Sequence, residues 1–201
     1  MTTPAALAVR TPEHAIDSLF HARWSPRAFT ADELPEATLR GLLEAARWAP
    51  SSMNAQPWRF AYALRGTPAF DALLATLTPG NQAWAHRASA LIALASKTTL
   101  AVPGKPEPVP SRSHGFDAGA AWAHLALQAH LWGWSTHAMG GFDMEQARAV
   151  LRVPADLELQ VVIAVGKQGD PTVLPDWARA REKPNERQPI AELAREGGFG
   201  P

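Results

Sequence analysis

Two basic residues and a hydroxyl stand at alternate positions near the start of the chain. Residues 23–29 read Arg-Trp-Ser-Pro-Arg-Ala-Phe, which spaces Arg23, Ser25 and Arg27 two residues apart. In an extended segment such side chains point to the same side. Two guanidinium groups and a hydroxyl on one face could bind a phosphate through paired, charge-assisted hydrogen bonds. Taken alone, the pattern favours a solvated basic strand.

A second polar stretch lies between two prolines. Residues 49–58 read Ala-Pro-Ser-Ser-Met-Asn-Ala-Gln-Pro-Trp. Pro50 and Pro57 fix their own φ at about −65° and bias the preceding residues away from the α region, so the loop between them is stiff. A stiff loop with aligned backbone donors suits recognition of a flat polar ligand, although Ser, Asn and Pro are also the residues of plain turns.

The basic segment follows a predicted helix. Thr11 is a candidate N-cap, Pro12 suits the first helical position, and Ile16, Leu19 and Phe20 repeat on one face. We therefore expect a helix that opens at 11–13 and ends where the basic segment begins.

The polar loop is flanked by a predicted helix and a predicted strand. Leucines at helical spacing across 35–48 indicate a helix that Pro50 stops. Apolar residues at alternate positions across 58–64 indicate a strand with one buried face.

The rest of the chain alternates helices and strands without repeats or linkers, which predicts one α/β or α+β domain over residues 1–201. We expect helices at 70–77, 116–131 and 143–150, the second in the core or at a dimer interface, and strands at 88–96 and 157–165. The proline-containing connection 100–113 shows neither period. The tail from 167 has little periodicity, which would be unusual in a compact monomer.

Composition excludes several classes of function. With 19 basic and 19 acidic residues, the formal net charge is zero, so we expect no nucleic-acid or membrane partner. Without cysteine there is no thiolate chemistry, and a redox role would need a bound cofactor. The most apolar run, 88–95, is far shorter than the ~20 residues that span a bilayer, and no leader pattern opens the chain, so we expect a cytoplasmic protein.

Other catalytic patterns are missing from the sequence. The histidines show no metal-ligand spacing, so we expect no metal site. The Gly-x-Ser-x-Gly, Gly-x-Gly-x-x-Gly and Walker patterns do not occur, which argues against a hydrolase triad, a Rossmann domain and an NTPase.

The basic segment 23–29, a helix and the polar loop 49–58, in this order and separation, resemble the N-terminal half of the FMN-dependent nitroreductase family. The resemblance implies an α+β fold, a three-layer α/β/α sandwich with a mostly antiparallel central sheet. It also implies an intertwined homodimer with FMN at the interface, in which the tail, about 167–201, wraps the partner subunit.

The resemblance also assigns residues to the FMN site. The basic segment would hold the phosphate and ribityl chain, and the polar loop would reach the flavin of the partner subunit. The stretch 139–141 would lie along the flavin ring, and Arg187, two residues before Pro189, would contact the phosphate. The implied set is Arg23, Trp24, Ser25, Arg27, Pro50, Ser51, Ser52, Met53, Asn54, Met139, Gly140, Gly141 and Arg187, with Asn185 and Gln56 left open.

The implied activity is ping-pong hydride transfer through FMN, from NAD(P)H to a nitroaromatic, quinone or similar small organic acceptor. The flavin carries the chemistry, so no catalytic side chain is named. Three alternatives stay open: another reaction on the same fold, such as dehalogenation, heterocycle oxidation or flavin destruction; a flavin-binding protein without turnover; and a structural dimer without flavin.

Overall fold

The computed structural model describes residues 10–199, so the ends of the predicted domain, 1–9 and 200–201, lie outside the described residues. The strands are β1 (Trp58–Leu64), β2 (Ala90–Lys97), β3 (Thr99–Leu100), β4 (Val109–Pro110), β5 (Ser135–Met139) and β6 (Leu157–Gly166). The helices are α1 (Ser18–Ala22), α2 (Glu36–Arg47), α3 (Pro68–Ala75), α4 (Pro79–Ala85), α5 (His114–Leu131), α6 (Met144–Leu151), α7 (Asp176–Arg179) and α8 (Ile190–Leu193). Single 3-10 turns occur at Ser52–Asn54 and Pro171–Val173.

The central sheet has four strands in the order β1-β2-β6-β5, and each neighbouring pair is antiparallel. Strand β2 is buried on both faces. Leu91 and Ala93 pack into a core with α3, α4 and α6, whereas Ile92 and Leu94 pack into a second core with α2 and α5. Two cores on opposite faces of one antiparallel sheet confirm the predicted α+β three-layer sandwich.

Helix α5 is the longest helix of the described chain. Small residues such as Ala118, Ala121 and Ala129 let it approach the sheet closely and are fully buried. Near its ends, however, Phe116 is 84% exposed and Leu131 is 59% exposed. The predicted core helix is thus confirmed for one face, while large apolar side chains near both ends face outward. Within residues 10–199, no helix combines the length and apolar character needed to cross a membrane.

The first predicted helix begins later than the sequence suggested. Residues 12–17 are not helical, and α1 starts at Ser18 with Asp17 as its N-cap. The Asp17 carboxylate accepts the Leu19 N–H at 2.8 Å, which fixes the start there rather than at Thr11. Ile16 and Phe20, which the sequence placed on one helix face, are 52% and 57% exposed, so this apolar face is not buried within the described chain.

Two smaller expectations also need correction. The alternation predicted for β1 fails at its end, where Tyr62 is 47% exposed and Ala63 is buried. Strand β1 is at the edge of the sheet and has helices on both sides, so burial depends on helix contacts as well as on the pleat. The connection 100–113 is irregular as expected, except that β3 and β4 form a short antiparallel pair.

Candidate functional site

The basic segment forms one wall of a cavity of about 480 Å³. Arg23 ends α1 in an extended conformation, with φ −67° and ψ 129°, so the chain leaves the helix as a strand-like segment. Arg23 Nη1 donates to Ser25 Oγ at 3.3 Å, and Arg23, Ser25 and Arg27 all line the cavity, together with Trp24. The structure therefore brings together Arg23, Ser25 and Arg27, which the sequence predicted to bind a phosphate and which we call the phosphate clamp.

The tail supplies the opposite wall of the same cavity. Four polar or charged side chains of residues 180–187 line the cavity: Arg181, Lys183, Asn185 and Arg187. With Arg10, six basic side chains surround this space, which we call the cationic cavity. Sequence reasoning found three of the six: Arg23, Arg27 and Arg187.

A buried carboxylate attaches the tail to the basic segment. Glu182, whose side chain is 1% exposed, accepts the Arg27 N–H at 2.8 Å and 3.0 Å and the Ala28 N–H at 2.8 Å. Its Oε2 also lies 4.0 Å from Arg27 Nη1. Glu182 thus fixes the backbone that carries Arg27. No local pattern in the sequence reveals this role, because the partners are separated by 155 residues.

The cations in the cavity repel one another. Burial lowers the pKa of Arg23, and repulsion from Arg187 lowers it further. The pKa of Arg10 is lowered by burial and then by Arg187 and Arg23. Crowded guanidinium groups of this kind are stabilised when an anion lies between them.

His137 of β5 borders the cavity as a neutral imidazole. Its Nδ1 lies 3.1 Å from the Pro26 carbonyl oxygen, so Nδ1 carries the proton, and its ring packs on Trp84 with centroids 4.7 Å apart. Burial, followed by the charge of Arg27, lowers the pKa of His137 to about 4. His137 therefore holds the Pro26 carbonyl without adding charge. No spacing pattern in the sequence predicts this contact, because the two residues are 111 positions apart.

A second cavity of about 500 Å³ adjoins the first and is mostly apolar. It shares Arg23, Ser25 and His137 with the cationic cavity. Its other walls come from α1, α5 and β5: Phe20, Trp122, Ala123, Ala126, Leu127 and Ala138. The two spaces together offer a charged end next to an apolar end.

The polar loop lies away from both cavities of its own chain. Ser52, Met53 and Asn54 are exposed, and φ is positive at Met53 (51°), Asn54 (53°) and Gln56 (46°). Three left-handed non-glycine residues in so short a stretch are costly and persist only where surrounding contacts fix them. Asp117 of α5, which is 3% exposed, supplies one such contact by accepting the Ser52 N–H at 3.2 Å. Neither Pro50 nor Ser51 lines a cavity described here.

The glycines after β5 have different surroundings. A Cβ on Gly141 would lie 2.8 Å from Asn81 Nδ2 and 3.1 Å from Thr78 Oγ1, so a larger residue there would displace these side chains at the start of α4. The Gly141 carbonyl accepts hydrogen bonds from the same two residues. Around Gly140 there is open space, while Met139 is buried. Among the described residues, none of the three lines the cationic or the apolar cavity.

Comparison with known protein families identifies the class to which this fold belongs. The model of the nitroreductase family matches residues 21–67 and 63–167, so the chain belongs to the nitroreductase family.

Individual relatives agree with this assignment. One solved structure, described as an oxidoreductase containing FMN, is 40% identical, covers 100% of this chain and 99% of its own, and has a TM-score of 0.92. The NADH dehydrogenase of Thermus thermophilus is 29% identical over 168 residues, 72% of this chain and 82% of the relative. An FMN-dependent nitroreductase of Clostridium difficile, with 22% identity, a TM-score of 0.61 and coverage of 74% and 84%, supports the fold alone.

Proposed function

We propose that this chain is a homodimeric, FMN-dependent oxidoreductase that uses NAD(P)H to reduce nitroaromatic, quinone or similar organic acceptors by a ping-pong reaction. When bound, the isoalloxazine ring of FMN supplies the hydride chemistry, and the protein supplies binding and orientation. We expect the enzyme to work in the cytoplasm, where reduced nicotinamide cofactors are available.

The observation that carries this proposal is the cationic cavity beside the apolar one. A phosphate monoester bears close to two negative charges and three acceptor oxygens. The guanidinium groups of Arg23, Arg27 and Arg187, with the Ser25 hydroxyl, match such a group in charge and in donors. FMN joins a phosphate to a flat and largely apolar ring, which fits the adjoining space lined by α5.

Several exposed groups support a dimeric site. Phe116 and Leu131 on α5, Phe20 on α1 and Met53 in the polar loop are all more than half exposed in the single chain. Large apolar side chains at the surface mark interaction sites, and a second copy would cover them. The strained, outward-facing loop would then supply Ser52 and Asn54 to the flavin of the partner subunit. Burying the flavin between two chains would also keep water away from the reacting atoms.

Three residues close to the ring would act by position rather than by chemistry. The main chain of Met139 and Gly140 would border the flavin outside the two cavities, with Gly140 allowing close approach because nothing occupies the position of its missing Cβ. His137 would stay neutral and hold the Pro26 carbonyl, which keeps Arg27 directed into the cationic cavity. No side chain needs to act as a nucleophile.

The visible spectrum of protein purified with excess FMN tests the proposal. We expect bound flavin, and we expect anaerobic mixing with NADH or NADPH to bleach it. Colourless protein would exclude an FMN enzyme. Bound flavin that neither nucleotide bleaches would instead indicate a binding protein without turnover.

A further inference from the structure

Arg10 lies in the cationic cavity although it precedes the basic segment by 13 residues. Its Nη1 donates to the carbonyl oxygen of Arg23 at 2.8 Å and to that of His21 at 3.3 Å. These two bonds hold the guanidinium group against the end of α1. Among residues 10–199 the hydrogen bonds of Arg10 use only Nη1, and Nε is buried, so the Nη2 donors are the ones that a ligand can reach.

Arg10 has no compensating carboxylate within the part of the chain that the structure describes. The ion pairs of residues 10–199 include Arg27 with Glu182 but none that involves Arg10. Its Nε is also buried without a hydrogen-bond partner among these residues. The neighbouring charges are those of Arg23 and Arg187, both positive. An immobilised cation that faces two others is expected to contact an anion.

The remaining cations of the cavity differ from Arg10. Arg181 and Lys183 are exposed at the rim, where salt and water screen their charge. Asn185 lines the cavity but carries no charge. Of the three cations that sequence reasoning missed, Arg10 is therefore the one whose guanidinium is fixed and partly buried.

We propose that Arg10 binds the flavin phosphate directly, alongside Arg23, Arg27 and Arg187, and that it makes the site selective for FMN over unphosphorylated riboflavin. This inference rests on the FMN site proposed above. Arg10 would supply its charge from a segment ahead of α1 rather than from the tail.

A structural brace is the competing role, because Arg10 also holds two carbonyl groups at the end of α1. The two roles differ in their ligand dependence. Loss of a phosphate contact weakens FMN binding and leaves riboflavin binding unchanged, because riboflavin has no phosphate. Loss of a brace displaces the whole basic segment and weakens both.

Titration of apo-protein with FMN and with riboflavin separates these roles. For Arg10→Gln we expect FMN affinity to fall about tenfold to a hundredfold, with riboflavin affinity unchanged within about twofold. Arg10→Lys, which keeps the charge but loses the planar fork, should be intermediate. The dependence of FMN affinity on salt should also become shallower in Arg10→Gln, because one fewer cation meets the phosphate.

Arg181→Gln is the matched control from the rim, and we expect it to lower FMN affinity by less than about threefold. Equal losses for FMN and riboflavin in Arg10→Gln would overturn the proposal in favour of a brace, and unchanged FMN affinity would overturn it altogether. Thermal unfolding of each apo variant checks that it folds. Wild-type protein that fails to bind FMN would instead refute the proposed function.

Discussion

The cationic cavity and the polar loop are built in the same way but lie in different surroundings. In each, a buried carboxylate accepts backbone N–H groups: Glu182 holds Arg27 and Ala28, and Asp117 holds Ser52. The cavity gathers four parts of one chain around one space: Arg10, the basic segment, His137 and the tail. The loop instead presents strained residues outward, with Met53 63% exposed.

We propose that one chain builds the cationic end of the ligand site and offers its polar loop to the site of a second chain. The carboxylates at both places act as backbone anchors rather than as acids or bases. Glu182 can lie beside a cavity lined by positive charges because its carboxylate oxygens accept hydrogen bonds from a backbone N–H group of the basic segment. We propose that the complete flavin site is therefore composite.

The largest effect is expected from Glu182→Ala, which removes the acceptor for two backbone N–H groups and releases the tail from the basic segment. The free energy of unfolding should fall by about 2–4 kcal/mol, and FMN affinity by about a hundredfold or more. Chemical unfolding of the apo-protein and flavin titration measure the two quantities. Glu186→Ala, an exposed carboxylate in the same tail, should change neither. Wild-type affinity in Glu182→Ala would show that the tail docks without this anchor.

Acid should lower the free energy of unfolding through protonation of His137, which packs beside the basic segment. Its pKa is about 4 in the folded protein, against about 6.5 in the unfolded chain. Between these two pKa values the unfolded state binds more protons than the folded state. The contribution of His137 to the free energy of unfolding is therefore fully present above about pH 6.5 and is lost as the pH falls towards 4. We expect about 2–3 kcal/mol of lost stability between pH 7 and pH 4.5.

Urea unfolding at the two pH values tests this expectation. His137→Asn keeps a donor for the Pro26 carbonyl but cannot titrate, so its stability should depend less on pH than that of the wild type. An equal pH dependence in both proteins would assign the effect to other groups.

Arg27→Ala tests the phosphate clamp itself. One charge-assisted contact is lost, so FMN affinity should fall by roughly one to two decades. Arg40→Ala is the control, because Arg40 is exposed, pairs with Glu36 and lines neither the cationic nor the apolar cavity of the described chain. Arg59 is less suitable, since its Nη1 donates to the Gln56 carbonyl at the end of the polar loop. Unchanged affinity in Arg27→Ala would remove this residue from the site.

Asn54→Gly tests whether the polar loop contacts the ligand. Glycine accepts the positive φ of 53° without strain, so the loop keeps its shape while the side chain is lost. We expect apo-protein stability to be retained and FMN affinity to fall about tenfold, the cost of one hydrogen bond to the ligand. Flavin titration that returns the wild-type value would argue against the loop as a ligand contact.

The smallest effects should come from the two glycines after β5. The methyl group of Gly141→Ala would displace the side chains of Asn81 and Thr78. The free energy of unfolding should therefore fall by about 1–2 kcal/mol. Gly140→Ala meets open space, so stability should hold while FMN affinity falls slightly, by about threefold, as the methyl group hinders the ring. Comparable losses of stability in both variants would mean that Gly140 also has a packing role.

The sequence predicted the parts of the site that are local. Arg23, Ser25 and Arg27 could be grouped because spacing by two in an extended segment puts side chains on one face, and the structure shows them in one cavity. Periodicity likewise located α2 and α5, since their buried faces follow helix geometry. A continuous apolar run located β2, which is buried on both faces, and a run rich in β-branched residues located β6.

Contacts between distant segments could not be predicted from one sequence. Glu182 and His137 act on the backbone of the basic segment from the tail and from β5, and no spacing rule connects them to it. The start of α1 was missed for a local reason: two capping residues competed, and Asp17 rather than Thr11 formed the cap. Whether the polar loop serves a partner depends on a second chain, which periodicity does not report.

A mixed dimer tests the composite site most directly. One chain carries Arg23→Ala with Arg27→Ala, the other carries Ser52→Ala with Asn54→Gly, and different affinity tags allow purification of the heterodimer. If the clamp of one chain meets the loop of the other, one site combines two intact halves and should bind one FMN per dimer with wild-type affinity, while both parent homodimers bind weakly. A heterodimer without any wild-type site would show that clamp and loop act within one chain and would contradict the account.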